Sequence, residues 1–568
     1  MNVKKIVIFL FLSLSFFSCE DDGKNNSITQ PVAITFNKVE NDDLFEKITS
    51  DKSRLVFNNK IIHDLSTRSN LFDFDFFYNG AGVGIADINN DGLKDVFFCG
   101  NQVPNKLYIN QGDLTFKDIS VSSGINKNKN WSNGVTFADV NNDGWLDIYV
   151  SQGGPYSREL RKNILLINQK NNTFKEKATL YGLDDDSIST QTAFFDYDKD
   201  GDLDCIVMNE SDFYGYDPLT FYKINQNKDN LSKSASHFYE NKNGKFINIT
   251  EKVGLLNPSF GLGLCIADIN NDTWLDIYIA NDYYIPDAMY ISNKDGTFTN
   301  TIKEATKQVS FYGMGVDIGD INNDNLEDIF VLDMASQDHV RSKTLMASMN
   351  VPKFNLLKKL GYQTQYMFNS LQLNMGNDTY HNVGQFSGLS KTDWSWAGLI
   401  FDVDYDQHED IYVTNGYRRY ALDNDIKMEI QQTKRNYQGN VPLKVKEGIY
   451  NRLPSEKISN ILFKNKGNIS FENKTASAGL NILSYSNGAA YADLDNDGDL
   501  DLVVNNMDSE SFLFKNLTVE KKRGNFLKII PKGNLSESFV KVLISYDKKQ
   551  KIKESRRVRG YQKLICHS

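Results

Sequence analysis

One nine-residue pattern recurs seven times in this chain and limits what it can become. Each copy places oxygen-bearing side chains at positions one, three, five and nine of a short loop. The copies are Asp87, Asn89, Asp91 and Asp95; Asp139, Asn141, Asp143 and Asp147; Asp196, Asp198, Asp200 and Asp204; and Asp268, Asn270, Asp272 and Asp276. Asp320, Asn322, Asp324 and Asp328, then Asp402, Asp404, Asp406 and Asp410, and finally Asp493, Asp495, Asp497 and Asp501 complete the set. Carboxylates crowded into one tight turn repel one another unless a cation sits among them. Oxygen-only donors suit a hard ion, and the D-x-D-x-D-G spacing of the last copy is that of a calcium loop. The helix-flanked form of such a loop needs Glu at position twelve, where this chain has Val504, and the flanking Leu502-Val503-Val504 is strand-like. Solvated acidic turns are the alternative, but seven copies with the same flanks favour metal. Up to seven structural calcium ions are expected.

Position six of such a loop turns sharply and favours glycine. Gly92, Gly144, Gly201 and Gly498 meet the requirement and Asn325 tolerates it, whereas Thr273 and Gln407 do not. Four aspartates with glycine make the loops at Asp196 and Asp493 the expected tight sites. The loop at Asp268 is the expected weak one, and that at Asp402 falls between.

An apolar strand precedes each loop, in most copies with a glycine as in GVGIADI, GVTFADV and GLGLCIADI, and a second strand follows, as in DVFFCGN and DIYIAN. Two strands joined by a tight loop form a hairpin. A third strand recurs (KLYIN, ILLIN, HFYEN, AMYIS, SLQLN, ILFKN, FLFKN), then an aromatic-led fourth (FKDIS, FKEKA, FINIT, FTNTI, YHNVG, FENKT). Four strands per repeat predict propeller blades. The last repeat lacks its fourth strand, and LFEKITSDKSRL at 44–55 matches that pattern with no loop before it. The fold class is therefore all-β: a seven-bladed β-propeller, a calcium loop in each blade, closed by the N-terminal strand.

Those motifs resemble the FG-GAP/VCBS repeat family over 44–517, the calcium-bearing propellers also seen in integrin α-chain heads. The pattern is most similar to the cartilage-acidic-protein-like group, in which an ASPIC/UnbV domain follows the propeller. Residues 518–568, with NFLKIIPKGN and Gly560-Tyr561-Gln562, look like part of such a module, here apparently truncated.

At the other end, Lys4-Lys5, an apolar run over 6–17 and Cys19 read as a lipoprotein signal peptide (1–18), followed by a lipidated tether (19–43). Phe16 departs from the usual leucine, and an ordinary cleavage site is the alternative. Glu20-Asp21-Asp22 resembles the export signal of Bacteroidetes-type surface lipoproteins. The expected location is the bacterial cell envelope, on an outer membrane facing outwards, touching lipid only through the anchor. Cys99, Cys205 and Cys265 fall in strands of different repeats and are expected to be buried free thiols.

The formal charge of −10 does not mark a basic partner, because 24 of the 73 acidic residues belong to the loops and seven divalent ions would leave the chain near neutral. Nucleic acid is not expected. No G-x-S-x-G, H-E-x-x-H or Walker A motif is present. Long insertions at 209–236, 333–369 and 415–460 all follow the second strand, which puts them on the face opposite the loops. Their Tyr214, Tyr216, Tyr222, Tyr362, Tyr366, Tyr417 and Tyr420 either contact a ligand or anchor the insertions to their own blades. Trp394 and Trp396 are expected to pack. The expected function is binding or adhesion to an extracellular glycan or protein. A polysaccharide lyase or hydrolase is the alternative.

Overall fold

In each repeat the two strands flanking the acidic loop bury both faces, as in Asp95–Phe98, Ser132–Ala138 and Asp276–Asn281. Strands stacked between neighbours on either side have no solvent face, which explains runs such as DIYIAN that do not alternate with polar residues. The fourth strands are different. Phe116, Phe174, Phe246 and Phe298 bury their rings while the next two residues of each stay exposed, marking the outer rim.

These strands form seven four-stranded antiparallel blades in a computed structural model that describes residues 42–125, 131–344, 350–420, 423–529, 539–546, 549–555 and 563–565. Cys19 and Cys566 lie outside those residues; Cys99, Cys205 and Cys265 are buried, as expected for strand thiols. In blade 7, Phe45–Ile48 pairs antiparallel with Phe512–Asn516, Phe45 opposite Asn516 and Ile48 opposite Leu513. The N-terminal strand thus supplies the missing edge and removes an open one. First strands crowd the axis, and glycine permits it: a Cβ on Gly263 would lie 2.6 Å from the Met314 carbonyl oxygen, and one on Gly488 2.7 Å from Gly82 Cα.

All three insertions leave the face opposite the acidic loops, but they are helical rather than extended loops. Blade 3 carries Pro218–Ile224 and Lys228–Ser232, blade 5 His339–Thr344 and Val351–Lys359, and blade 6 Asn424–Asn436 and Leu443–Tyr450. Asp217, Asn227, Asn350 and Asp423 cap four of these helices through side-chain oxygens that accept from backbone N–H groups. Those capping residues were the available sequence signal.

The stretch 71–78, ahead of blade 1, crosses the same face. Phe74 meets the rings of Trp131 and Tyr214, Phe76 meets Tyr283, Phe77 meets Trp131, and Tyr78 meets Tyr417. One aromatic strap therefore ties together blades 2, 3, 4 and 6. On the loop face, Lys541–Tyr546 and Lys549–Glu554 form a hairpin, and Lys563–Ile565 pairs in parallel with the first strand of blade 1, close to those of blades 2 and 7.

Closure through Phe45, which is 3% exposed, should be measurable. Phe45→Ala is expected to cost about 3–5 kcal/mol in urea unfolding. The same change at Phe386, 81% exposed, should stay within about 0.5 kcal/mol.

Candidate functional site

Every acidic loop is built by its own carboxylates holding backbone N–H groups. The position-nine aspartate is buried in all seven blades. Its Oδ2 accepts from the N–H of position two, from Ile88, Val140, Tyr197, Ile269, Ile321, Val403 and Leu494 in turn. Its Oδ1 accepts from the third strand, from the N–H of Asn110, Asn168, Asn241, Ser292, Asn374, Asn465 and Asn516. Burial pushes these carboxyls up despite the bonds, to about 7 for Asp95, Asp147 and Asp410 and about 8 for Asp204, Asp276 and Asp328. The position-one carboxylate accepts from the N–H of position six, as Asp87 does from Gly92 at 2.8 Å and Asp268 from Thr273 at 2.9 Å. Both position four and position six are left-handed: Asn90 has φ +56° and Gly92 φ +88°, and Thr273 and Gln407 are forced to +72° and +74°.

The two loop types differ at one atom. Where position three is Asn, the position-one Oδ1 accepts from the N–H of position five, at 3.1 Å for Asp87, 2.9 Å for Asp139, 2.7 Å for Asp268 and 3.0 Å for Asp320. Where position three is Asp, Oδ1 of Asp196, Asp402 and Asp493 is buried without a hydrogen-bond partner. Ligand oxygens of Asp196, Asp198 and Asp204 come within 4.8 Å of one another, as do those of Asp402, Asp404 and Asp410, and of Asp493, Asp495 and Asp497. Convergent oxygens with an orphaned buried one among them fit a hard divalent ion. Blades 3, 6 and 7 therefore meet this test most fully.

The profile of the FG-GAP-like repeat matches residues 73–150 and 268–331. Cartilage acidic protein 1 of Xenopus tropicalis is 28% identical over 206 residues, covering 36% of this chain and 29% of that protein. The T-cell immunomodulatory protein homolog of Plasmodium yoelii yoelii is 26% identical over 326 residues, covering 49% of this chain and 44% of that protein. These matches and the seven-bladed fold support an FG-GAP-like β-propeller family. Its matches span less than half the length of these two curated relatives. Among solved structures, a lectin of Agrocybe aegerita aligns with 78% of this chain and 89% of its own, at TM-score 0.38 and 13% identity. A likeness at that level carries no argument about function.

On the opposite face of the propeller, the seven tyrosines divide. Tyr417 and Tyr420 are core residues: Tyr417 stacks on Trp394 at 3.8 Å between ring centroids, and Tyr420 receives the Arg341 guanidinium. Burial of both places them under the surface rather than on it, and Trp394 and Trp396 pack as expected. Tyr214, Tyr362 and Tyr366 are half-buried, and Tyr214 and Tyr362 lean on the core. Tyr216 and Tyr222 are open, at 49% and 37% exposed.

Sequence reading missed a charged cluster beneath them. Tyr283 Oη donates to Asp75 at 2.8 Å. Burial, with the neighbouring charge of Asp75, lifts the Asp282 carboxyl to about 7, and burial raises Glu210 as well. Lys353 lies 4.9 Å from the Phe311 ring centroid, and burial together with the charge of Lys427 lowers it to about 8. Burial also lowers Lys427. Neither lysine makes an ion pair with a described residue. The alternation Phe72-Asp73-Phe74-Asp75-Phe76 was the one signal of a charge placed among aromatics.

At the base of the blade 3 insertion, His237 Nδ1 lies 2.6 Å from Asp185 Oδ2, which also accepts from Tyr239 Oη at 2.8 Å. Burial works against the imidazolium, but the Asp185 charge and hydrogen bond outweigh it and raise His237 to about 9.

Two outcomes follow. Thr273→Gly should stabilise the protein by about 1 kcal/mol in thermal or urea unfolding by relieving the left-handed threonine. The raised His237 contributes stability in full below about pH 6.5 that is lost as pH rises through about 9, worth about 3 kcal/mol at 1.36 kcal/mol per pKa unit. His237→Gln should flatten that part of the stability profile.

Proposed function

We propose that this FG-GAP propeller is a calcium-stabilised binding module carried on the bacterial surface by a lipid at Cys19, with its insertion face turned to an extracellular glycan or protein. The observation that carries this reading is the asymmetry of the two faces. Loop-face aspartates are engaged with their own backbone and suit metal. The insertion face gathers helices from three blades, the exposed Tyr216 and Tyr222, and Lys353 and Lys427, which make no ion pair with a described residue. Aromatic faces with nearby cations suit sugars or side chains that carry an anionic group. The calcium ring keeps that platform rigid, and residues 518–568 are read as an ASPIC/UnbV-like module whose hairpin of Lys541–Tyr546 and Lys549–Glu554 lies on the loop face.

Lys353, lowered to about 8 by burial and the charge of Lys427, supports a second reading, an extracellular polysaccharide-degrading enzyme. Release of products from a polysaccharide panel by the purified protein would favour it.

The binding reading is tested with a soluble form lacking residues 1–19, screened against glycan arrays and cell-surface proteins. Tyr216→Ala with Lys353→Met should weaken any captured partner at least tenfold, with Lys175→Ala on the outer rim as the unchanged control. Retention of full affinity by the double variant would place binding elsewhere. In cells, Cys19→Ser should move the protein from the membrane fraction to the soluble one.

A further inference from the structure

One strand position distinguishes three of the seven loops. The residue just before the third-strand N–H that holds the position-nine carboxylate is Ile109, Ile167, Glu240, Ile291, Leu373, Lys464 and Lys515 in blades 1 to 7. Four are aliphatic and three are charged, with opposite signs. In blade 6, Lys464 Nζ reaches Asp404, lies 2.8 Å from Asp406 and 3.3 Å from Asp410. In blade 7, Lys515 Nζ reaches Asp495, lies 3.2 Å from Asp497 and 2.7 Å from Glu520. Register fixes both stems. The next residue of each is pinned by its N–H to Asp410 or Asp501, so the lysine before it has its own loop within reach.

Blade 3 carries the reverse charge. Glu240 accepts from Tyr197 Oη at 3.4 Å and is held by Lys242 and Lys252, at 2.9 and 3.5 Å. Its negative charge acts on Asp198 and Asp202 of the same loop. Lys199 is the lysine inside this loop, and it turns away to the Trp274 ring and the Thr273 hydroxyl of blade 4.

We propose that Lys464 and Lys515 are built-in cations that hold the loops of blades 6 and 7 together without calcium and compete with it there, while blade 3, with Glu240 at the same strand position, is the tight calcium site of the ring. The proposal rests on the calcium reading of the loops. Each ammonium is bonded to loop carboxylates, three in blade 6 and two in blade 7, whose oxygens a calcium ion would take at 2.3–2.6 Å, and the two cations repel at that separation. Calcium can enter blade 6 or 7 only by expelling the lysine. Lys515 therefore removes the loop at Asp493 from the tight class that its four aspartates and Gly498 suggest on their own. The orphaned position-one oxygens persist because one ammonium, tethered from the strand, does not reach every ligand: Asp402 Oδ1 and Asp493 Oδ1 stay unpaired beside it.

The test uses the full propeller freed of residues 1–19, calcium titration with ion counting by native mass spectrometry, and melting with and without chelator. Wild type is expected to bind its tightest ion at blade 3, lost in Asp198→Asn and kept in Asp404→Asn and Asp495→Asn. Lys464→Met with Lys515→Met, which keeps side-chain volume, should melt lower in chelator. The same variant should gain two calcium ions at least a hundredfold tighter than wild type holds them in those blades, with the melting temperature restored on loading. The single variants should each gain one ion, which keeps the test open if the double variant does not fold. Equal ion counts and affinities in wild type and variants, with unchanged melting in chelator, would overturn the lysines' role alone. Binding of no calcium by either protein at millimolar concentration would overturn the calcium reading and the competition with it.

Discussion

Seven buried carboxylates hold this propeller together, one at the ninth position of each acidic loop. Each joins three pieces of backbone: the loop that carries it, the strand it begins, and the third strand whose N–H reaches its Oδ1. Alanine at such a place would leave two buried N–H groups unpaired, each costing about 1–3 kcal/mol. The acidity of the chain is therefore put to use by the backbone and is not reserved for a metal. Positions one and nine work for the backbone first, and what remains for a cation is the lone pairs those bonds leave free. Replacing Asp by Asn at position three goes with closing one of those lone pairs, through the position-five N–H on position one.

Blades are joined by the residue that follows the graded strand position. Asn168 Nδ2 donates to the Ile88 carbonyl of the preceding blade, Asn465 to Ile321, Asn516 to Val403, and Asn110 to Leu494 across the seam. The left-handed asparagine at position four adds a second set, Asn90 to Gly144 and Asn323 to Gln407. The side that carries the acidic loops is thus a network of polar clasps. The insertion side is held by the packed rings of Phe74, Phe76, Tyr78 and Trp131. That contrast in bonding gives one stiff, polar side and one side free to present varied chemistry.

Most of this architecture was legible in the sequence because it repeats. Seven copies of one loop, with β-branched flanks and an aromatic-led fourth strand, leave few folds open, and the unpaired strand at 44–55 identified its own partner. What could not be read was anything that occurs once. The helices of the insertions declare themselves only through caps such as Asp217 and Asp423. The strap at 71–78 has no counterpart elsewhere in the chain. Tyr417 and Tyr216 are the same residue type in the same class of segment, and only packing buries one and exposes the other. At the loops, the ranking weighed position six and the aspartate count, both inside the motif. It overlooked Glu240, Lys464 and Lys515, which stand outside it in sequence and beside it in space.

The seam has a mechanical meaning. The chain enters blade 7 at Asp42, whose carboxylate meets Arg523, while the N–H groups of Asp42 and Asp43 bind the Ser477 carbonyl and that of Phe45 binds Ala478. Residues 477 and 478 belong to blade 6, and the strand from Phe45 belongs to blade 7. Tension arriving from the N-terminus therefore divides at once between two neighbouring blades instead of peeling one strand from an edge. A ring opened at its weakest joint would have to yield at both, so the point where the circle closes is also where it is best placed to bear a load.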